Sequence, residues 1–135
     1  MKTILAFGTF DILHPGHLSY LQQARRLGDR LIVVIARDTT VESLKKHKPV
    51  FNEKERLTLV GSLRIVSKTL LGNTKNHFDI VKRVRPDVIC LGYDHRVAPS
   101  VLRSVFEKQN LHSIEIVRAK PYRKSQYKSS RYRRL

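Results

Sequence analysis

Residues 14–17 read His-Pro-Gly-His, and the types and spacing of these side chains suit one chemical task. With Pro15 at the first position of a helix, His14 and His17 stand on the same side of its N-terminal end. First-turn N–H groups lack intrahelical partners and the helix dipole favours negative charge there, so the place suits an anion. Gly16 has no Cβ and lets a phosphate come close to the backbone. Each imidazole can donate a hydrogen bond to phosphate oxygens, and a nearby phosphate favours the protonated ring. Asp11, His14 and His17 make three candidate zinc ligands, but the local sequence offers no obvious fourth. Asp11 serves either to cap local backbone groups or to help position a magnesium ion riding on a triphosphate.

Two other segments carry suitable chemistry. In Lys45-Lys46-His47-Lys48-Pro49, the lysines Lys45, Lys46 and Lys48 either clamp a phosphate or form a solvated basic loop. Gly92 and Asp94 follow an apolar run; Asp94 either accepts a hydrogen bond from a ribose or base amino group or caps the next helix. Cys90 lies inside that apolar run, where inert packing is its expected part. No Ser-His-Asp or Cys-His pairing is evident, which argues against a covalent enzyme intermediate.

The elements that must hold these residues follow from hydrophobic patterning. Apolar runs at Thr3–Gly8, Leu31–Ala36, Ser67–Leu71, Val88–Gly92 and Ser113–Val117 read as five strands. Between them, helices are expected at Pro15–Leu27 with Gly28 as its stop, at Thr39–Leu44, and from the cap Asn52 to about Leu63. Phe78 to Val84 is expected to lie within a further helix, stopped by Arg85-Pro86-Asp87, and Pro99–Lys108 to form another. This alternation predicts an α/β fold: a single Rossmann-like, doubly wound domain over residues 1–135 with a five-stranded parallel sheet. Ligands in such sheets bind beyond the C-terminal ends of the strands where strand order reverses, so the chemistry is expected just after Gly8, Ala36 and Gly92.

Composition bounds the alternatives. The chain has 135 residues, 41% of them hydrophobic, and one cysteine, which excludes an internal disulfide framework. No apolar stretch is long enough to cross a membrane, and the N-terminus turns charged and glycine-rich before a secretion signal could form. A cytoplasmic protein is expected. The net charge of +16 invites a nucleic-acid reading. Eight basic residues and no acidic one fall in the C-terminal segment 118–135, interleaved with Tyr122, Tyr127 and Tyr132 as stacking on a polynucleotide would require. A basic tail does not account for a two-histidine loop at a strand end, so nucleic acid is not the expected main partner.

The run Gly8-Thr-Phe-Asp-Ile-Leu-His-Pro-Gly-His17 resembles the signature of the HxGH nucleotidyltransferases, which transfer a nucleoside monophosphate from a triphosphate to a phosphorylated acceptor. That resemblance implies that His14 and His17 are catalytic and meet the triphosphate together with Pro15 and Gly16, and that Thr9 and Phe10 lie beside the nucleotide. It implies nucleotide contacts from Gly92, Asp94, Tyr122, Ser129 and Ser130, with Arg131 among the phosphate clamps. The KSSRYRRL segment is a reduced form of the family's late Ser/Thr-rich stretch. Gly28–Asp38, Lys48-Pro49 and Arg85–Asp94 are further similar to archaeal-type FAD synthases, a likeness running from the first strand to about Asp94. This implies ATP as donor with a divalent cation such as magnesium, FMN as acceptor, and a homodimer. Glycerol-3-phosphate cytidylyltransferases, similar in size and opening motif, are the alternative. In either case the acceptor oxygen is already anionic, so catalysis reduces to positioning and electrostatics without a strong general base.

Overall fold

The computed structural model describes residues 1–73, 79–95, 99–111 and 113–122. Within them β1 (Thr3–Gly8), β2 (Arg30–Ile35), β3 (Lys68–Leu71), β4 (Val88–Leu91) and β5 (Glu115–Arg118) alternate with helices. These are α1 (Pro15–Arg25), α2 (Asp38–Lys45), α3 (Glu53–Gly61), α4 (Asp79–Val84) and α5 (Pro99–Lys108). All five strands pair in parallel in the order β3-β2-β1-β4-β5, so the order reverses between β1 and β4.

Period-two alternation divides the strand side chains between two cores. Ile4, Ala6, Leu31, Val33, Ile35, Val88 and Cys90 pack on one face with Leu21 and Ala24 of α1 and Val60 of α3. Leu5, Ile32, Val34, Ile89 and Leu91 pack on the other with α4 and α5. Both faces are covered, which is why the strands are apolar at nearly every position. Each fully buried aliphatic side chain contributes about 1.5–3 kcal/mol.

Helix ends follow local chemistry. The Asn52 side chain accepts from Glu55 N–H at 2.9 Å while Glu55 accepts from Asn52 N–H at 2.9 Å, a reciprocal capping box that starts α3. The first helix stops at Arg25, two residues short of the expected end, and Gly28 has no positive φ. Glycine is needed there for close approach instead: a Cβ would stand 2.1 Å from Ile4 Cδ1 and 2.7 Å from the Lys2 carbonyl. Of the segment Phe78–Val84 expected within α4, Phe78 lies outside the described residues. No helix among the described residues is long and apolar enough to cross a membrane.

Candidate active site

The loop from β1 to α1 is fixed from below. Phe10 adopts φ 51°, an uncommon conformation for a residue with a Cβ. The turn drives its ring into the core at 2% exposure, edge-on to His17 with centroids 5.2 Å apart and stacked on Tyr20 at 6.2 Å. A Cβ on Gly8 would lie 2.6 Å from that ring, so the turn requires glycine. The Phe10 ring forms the floor under His17, at the strand end where the nucleotide is expected. Thr9 is half-buried, with its carbonyl committed to Arg56.

His14 is the N-cap of α1. Its Nδ1 accepts from Gly16 N–H at 3.1 Å, so the neutral ring carries its proton on Nε2, which has donor character. The His14 and His17 rings stack with centroids 3.8 Å apart. Burial lowers the His14 pKa, and burial, the neighbouring His14 and Lys45 push His17 down to about 3, with Asp11 opposing. Both rings are therefore neutral at pH 7 by themselves, and protonation awaits an added negative charge. His17 Nδ1 is buried without a hydrogen-bond partner among the described residues.

Asp11 is 3% exposed and both its oxygens accept backbone hydrogen bonds, from Val50 at 2.9 Å and Phe51 at 3.0 Å. It does cap backbone, but of a segment some forty residues away. By holding that segment it carries the Lys45–Pro49 loop to the helix end, which is how Lys45 comes to influence His17. Lys45, Lys46 and Lys48 are exposed; Lys46 closes α2 at φ 63°. No group of three or more His, Cys, Asp or Glu side chains among the described residues is arranged to hold a metal ion.

Arg56, one of several charges in Glu53-Lys-Glu-Arg56, is fully buried. Its guanidinium donates to the carbonyls of Phe51 (3.0 Å), Thr9 (2.9 Å) and Ala36 (2.7 Å) and to the Asp38 carboxylate (2.6 Å). One side chain thereby ties together the C-terminal ends of β1 and β2, the start of α2 and the lysine-loop exit. Sequence patterning missed it, although its place one turn before the buried Val60 put it on the inward stripe of α3.

At the switch point, pairing between β1 and β4 ends at Ala6 and Cys90, while β1 runs on beside β2 to Gly8. The Tyr20 hydroxyl sits on this last rung, accepting from Phe7 N–H at 3.1 Å and donating to the Cys90 carbonyl. Gly92 N–H then turns to His95 Nδ1 at 3.0 Å, and the His95 ring meets Tyr20 edge-on. Arg118 donates to the carbonyls of Gly92 and His95 at 3.1 and 2.8 Å. The Gly92–His95 turn is thus pinned at both ends, with exposed Asp94 near its tip. Asp94 Oδ1 and His95 Nε2 lie 3.2 and 3.3 Å from where a Gly92 Cβ would be. Burial pushes the Cys90 thiol up to about 11, consistent with inert packing.

The structure therefore brings together His14, Pro15, Gly16 and His17, the Lys45 loop, and Gly92 with Asp94, around the carboxyl ends of β1, β2 and β4. Tyr122 is exposed beyond β5. Ser129, Ser130 and Arg131 lie outside the described residues.

Residues 5–135 match the cytidylyltransferase-like family. An FAD synthase from Aciduliprofundum boonei is 44% identical over 97% of this chain and 87% of its own length. One from Methanosarcina barkeri is 50% identical over 82% of this chain and 78% of its own. Among solved structures, one described as the lipopolysaccharide core biosynthesis protein from Thermoplasma volcanium GSS1 superposes with a TM-score of 0.86 at 39% identity, covering 90% of this chain and 98% of that one.

Proposed function

The chain belongs to the cytidylyltransferase-like family, and from that premise we propose that it is an FMN adenylyltransferase, moving AMP from ATP to FMN to give FAD and pyrophosphate. The observation carrying this reading is the stacked His14–His17 pair at the open end of α1, beside the β1–β4 switch point. The names of the FAD synthase relatives supply the acceptor and donor.

In this reading the triphosphate lies across the α1 end. His14 donates from Nε2, held in that tautomer by Gly16 N–H. His17 sits against the phosphates, where their charge raises its depressed pKa and favours proton uptake. Lys45, Lys46 and Lys48 neutralise phosphate charge from the loop that Asp11 anchors. Gly92 and Asp94 face the nucleoside across the switch point. Nucleotide contacts from Thr9, by its side chain, and from Tyr122, Ser129, Ser130 and Arg131 remain part of the proposal. An FMN phosphate oxygen bonds to the α-phosphorus as the bond to the bridging oxygen of the β-phosphate breaks, and pyrophosphate departs. The anionic nucleophile requires no base, and the donors at the helix end stabilise the leaving charge.

The described residues supply no carboxylate cage for a divalent cation, and both Asp11 oxygens accept backbone N–H groups. That donor set fits an ion such as magnesium brought in on the phosphates of ATP. Such an ion supplies charge neutralisation on the triphosphate. The reading also includes a cytoplasmic homodimer, which light scattering of the purified protein checks.

The test is a matrix of FMN, glycerol 3-phosphate and phosphopantetheine against ATP and CTP, scored for pyrophosphate release. Turnover with FMN and ATP alone is expected. Turnover with glycerol 3-phosphate and CTP would replace the proposal with the cytidylyltransferase alternative.

A further inference from the structure

An open groove of about 600 Å³ lies beyond the C-terminal ends of β2 and β3, away from the histidines and on the opposite side of β1 from Asp94. Leu71 and Ile80 give it an apolar floor, and Arg37, Asn73, Asp79 and Arg83 its polar rim. Arg37 is set in place by the Gly72 carbonyl at 2.6 Å and by Glu53 at 3.4 Å. Asp79 orients the Asn73 carboxamide by accepting from it at 3.3 Å. Arg83 is exposed and makes no hydrogen bond or ion pair within the described residues. Nothing in the chemistry derived above uses these groups.

We infer that this groove holds the isoalloxazine ring of the FMN acceptor, an inference that rests on the adenylyltransferase reading. Three features favour a flat, polar-edged heterocycle. The floor is apolar and takes a ring face. The rim combines guanidinium donors, which suit the ring's carbonyl oxygens, with a carboxylate–carboxamide pair, which suits its imide N–H. The distance also fits. Gly8, Ile35 and Leu71 lie in one row across β1, β2 and β3. Two strand spacings put Leu71 about 10 Å from the strand that carries the histidine loop. A phosphate at α1 and a ring beyond Leu71 are therefore joined by an extended ribityl chain. Glycerol 3-phosphate is too short to bridge that span and too small to fill the groove. Strand order then sets the nucleoside over β4 and the flavin over β2 and β3, so the two do not compete for space; in-line attack places the departing pyrophosphate, not the nucleoside, opposite the FMN oxygen.

The test uses the full chain with Arg83→Ala and Asn73→Ala, neither of which removes a buried side chain. Flavin fluorescence quenching without ATP gives the FMN Kd, steady-state assays give both KM values, and melting curves verify the fold. Expected are rises of about tenfold in FMN Kd and KM, the loss of one charged or polar contact, with KM for ATP and Tm unchanged. A second measurement needs no variant: on FMN addition the Gly72 and Asn73 amide resonances should shift, whereas inorganic phosphate should leave them in place. Wild-type FAD formation with unchanged FMN affinity in both variants, or with unshifted Gly72 and Asn73, would overturn the groove assignment alone. A wild type that binds FMN but forms no FAD would remove the adenylyltransferase reading and this inference together.

Discussion

Replacing Arg56 by Met should unfold the protein at a markedly lower temperature, and the structure sets the size of the effect. The guanidinium is fully buried and donates four hydrogen bonds, to three carbonyls and to Asp38. Methionine fills much of the volume but donates nothing, so three part-buried carbonyls lose a partner at up to roughly 1 kcal/mol each. Breaking a buried ion pair by removing one side costs about 3–5 kcal/mol when both charges are sealed. Asp38 is 31% exposed and water can reach it, so the lower part of that range or less applies. A total of about 3–5 kcal/mol follows, which for a domain of this size lowers Tm by roughly 10–18 °C. Arg56→Lys should fall between, since one ammonium cannot reach four acceptors in a planar fan. Arg30→Met, an equal charge change at an exposed site, controls for net charge. Melting followed by circular dichroism reads the result. A Tm for Arg56→Met within a few degrees of wild type would refute the claim that this side chain ties the strand ends together.

Three other perturbations separate parts of the site. His17 has a pKa near 3 in the fold against 6.5 ordinarily, so below pH 6.5 the unfolded chain takes a proton that the folded one refuses. Stability is then full above pH 6.5 and falls toward pH 3 at up to about 1.4 kcal/mol per pH unit; urea midpoints from pH 7 to 4.5 should fall less steeply in His17→Asn, and identical slopes would contradict the assignment. Tyr20→Phe leaves Phe7 N–H and the Cys90 carbonyl without their bridge and should cost about 1–2 kcal/mol in urea unfolding. His95→Ala frees Gly92 N–H from its acceptor and loosens the Asp94 turn, so KM for ATP should rise several-fold with kcat nearly kept; a fall in kcat alone would place His95 elsewhere in the reaction.

Much of this architecture is legible in the residue order, because its signals are local. Short, nearly continuous apolar runs specify a sheet covered on both faces, and Asn52 announces the α3 start immediately before Glu53. His14-Pro-Gly-His17 likewise carries its geometry in its own spacing. What stayed hidden depends on partners far along the chain. Asp11 looks like a local cap or metal ligand until residues 50 and 51 fold onto it. The burial of the Phe10 ring is hidden too, because nothing in the string indicates a positive φ at a non-glycine residue. Arg56 reads as one more surface charge in a charged stretch. Arg118 counts toward a basic tail by composition, yet it pins the Gly92–His95 turn, so part of the excess charge is structural.

The central claim is direct adenylyl transfer at the His14–His17 helix end, and isotopic labelling tests it most plainly. With ATP labelled at the α-phosphorus and FMN as acceptor, the label should appear in FAD in amounts equal to the pyrophosphate released. None should be trapped on the protein, and His14→Ala and His17→Ala should lower the rate by roughly 10²–10³-fold. Label bound covalently to the protein, or transfer undiminished without the two histidines, would contradict the account.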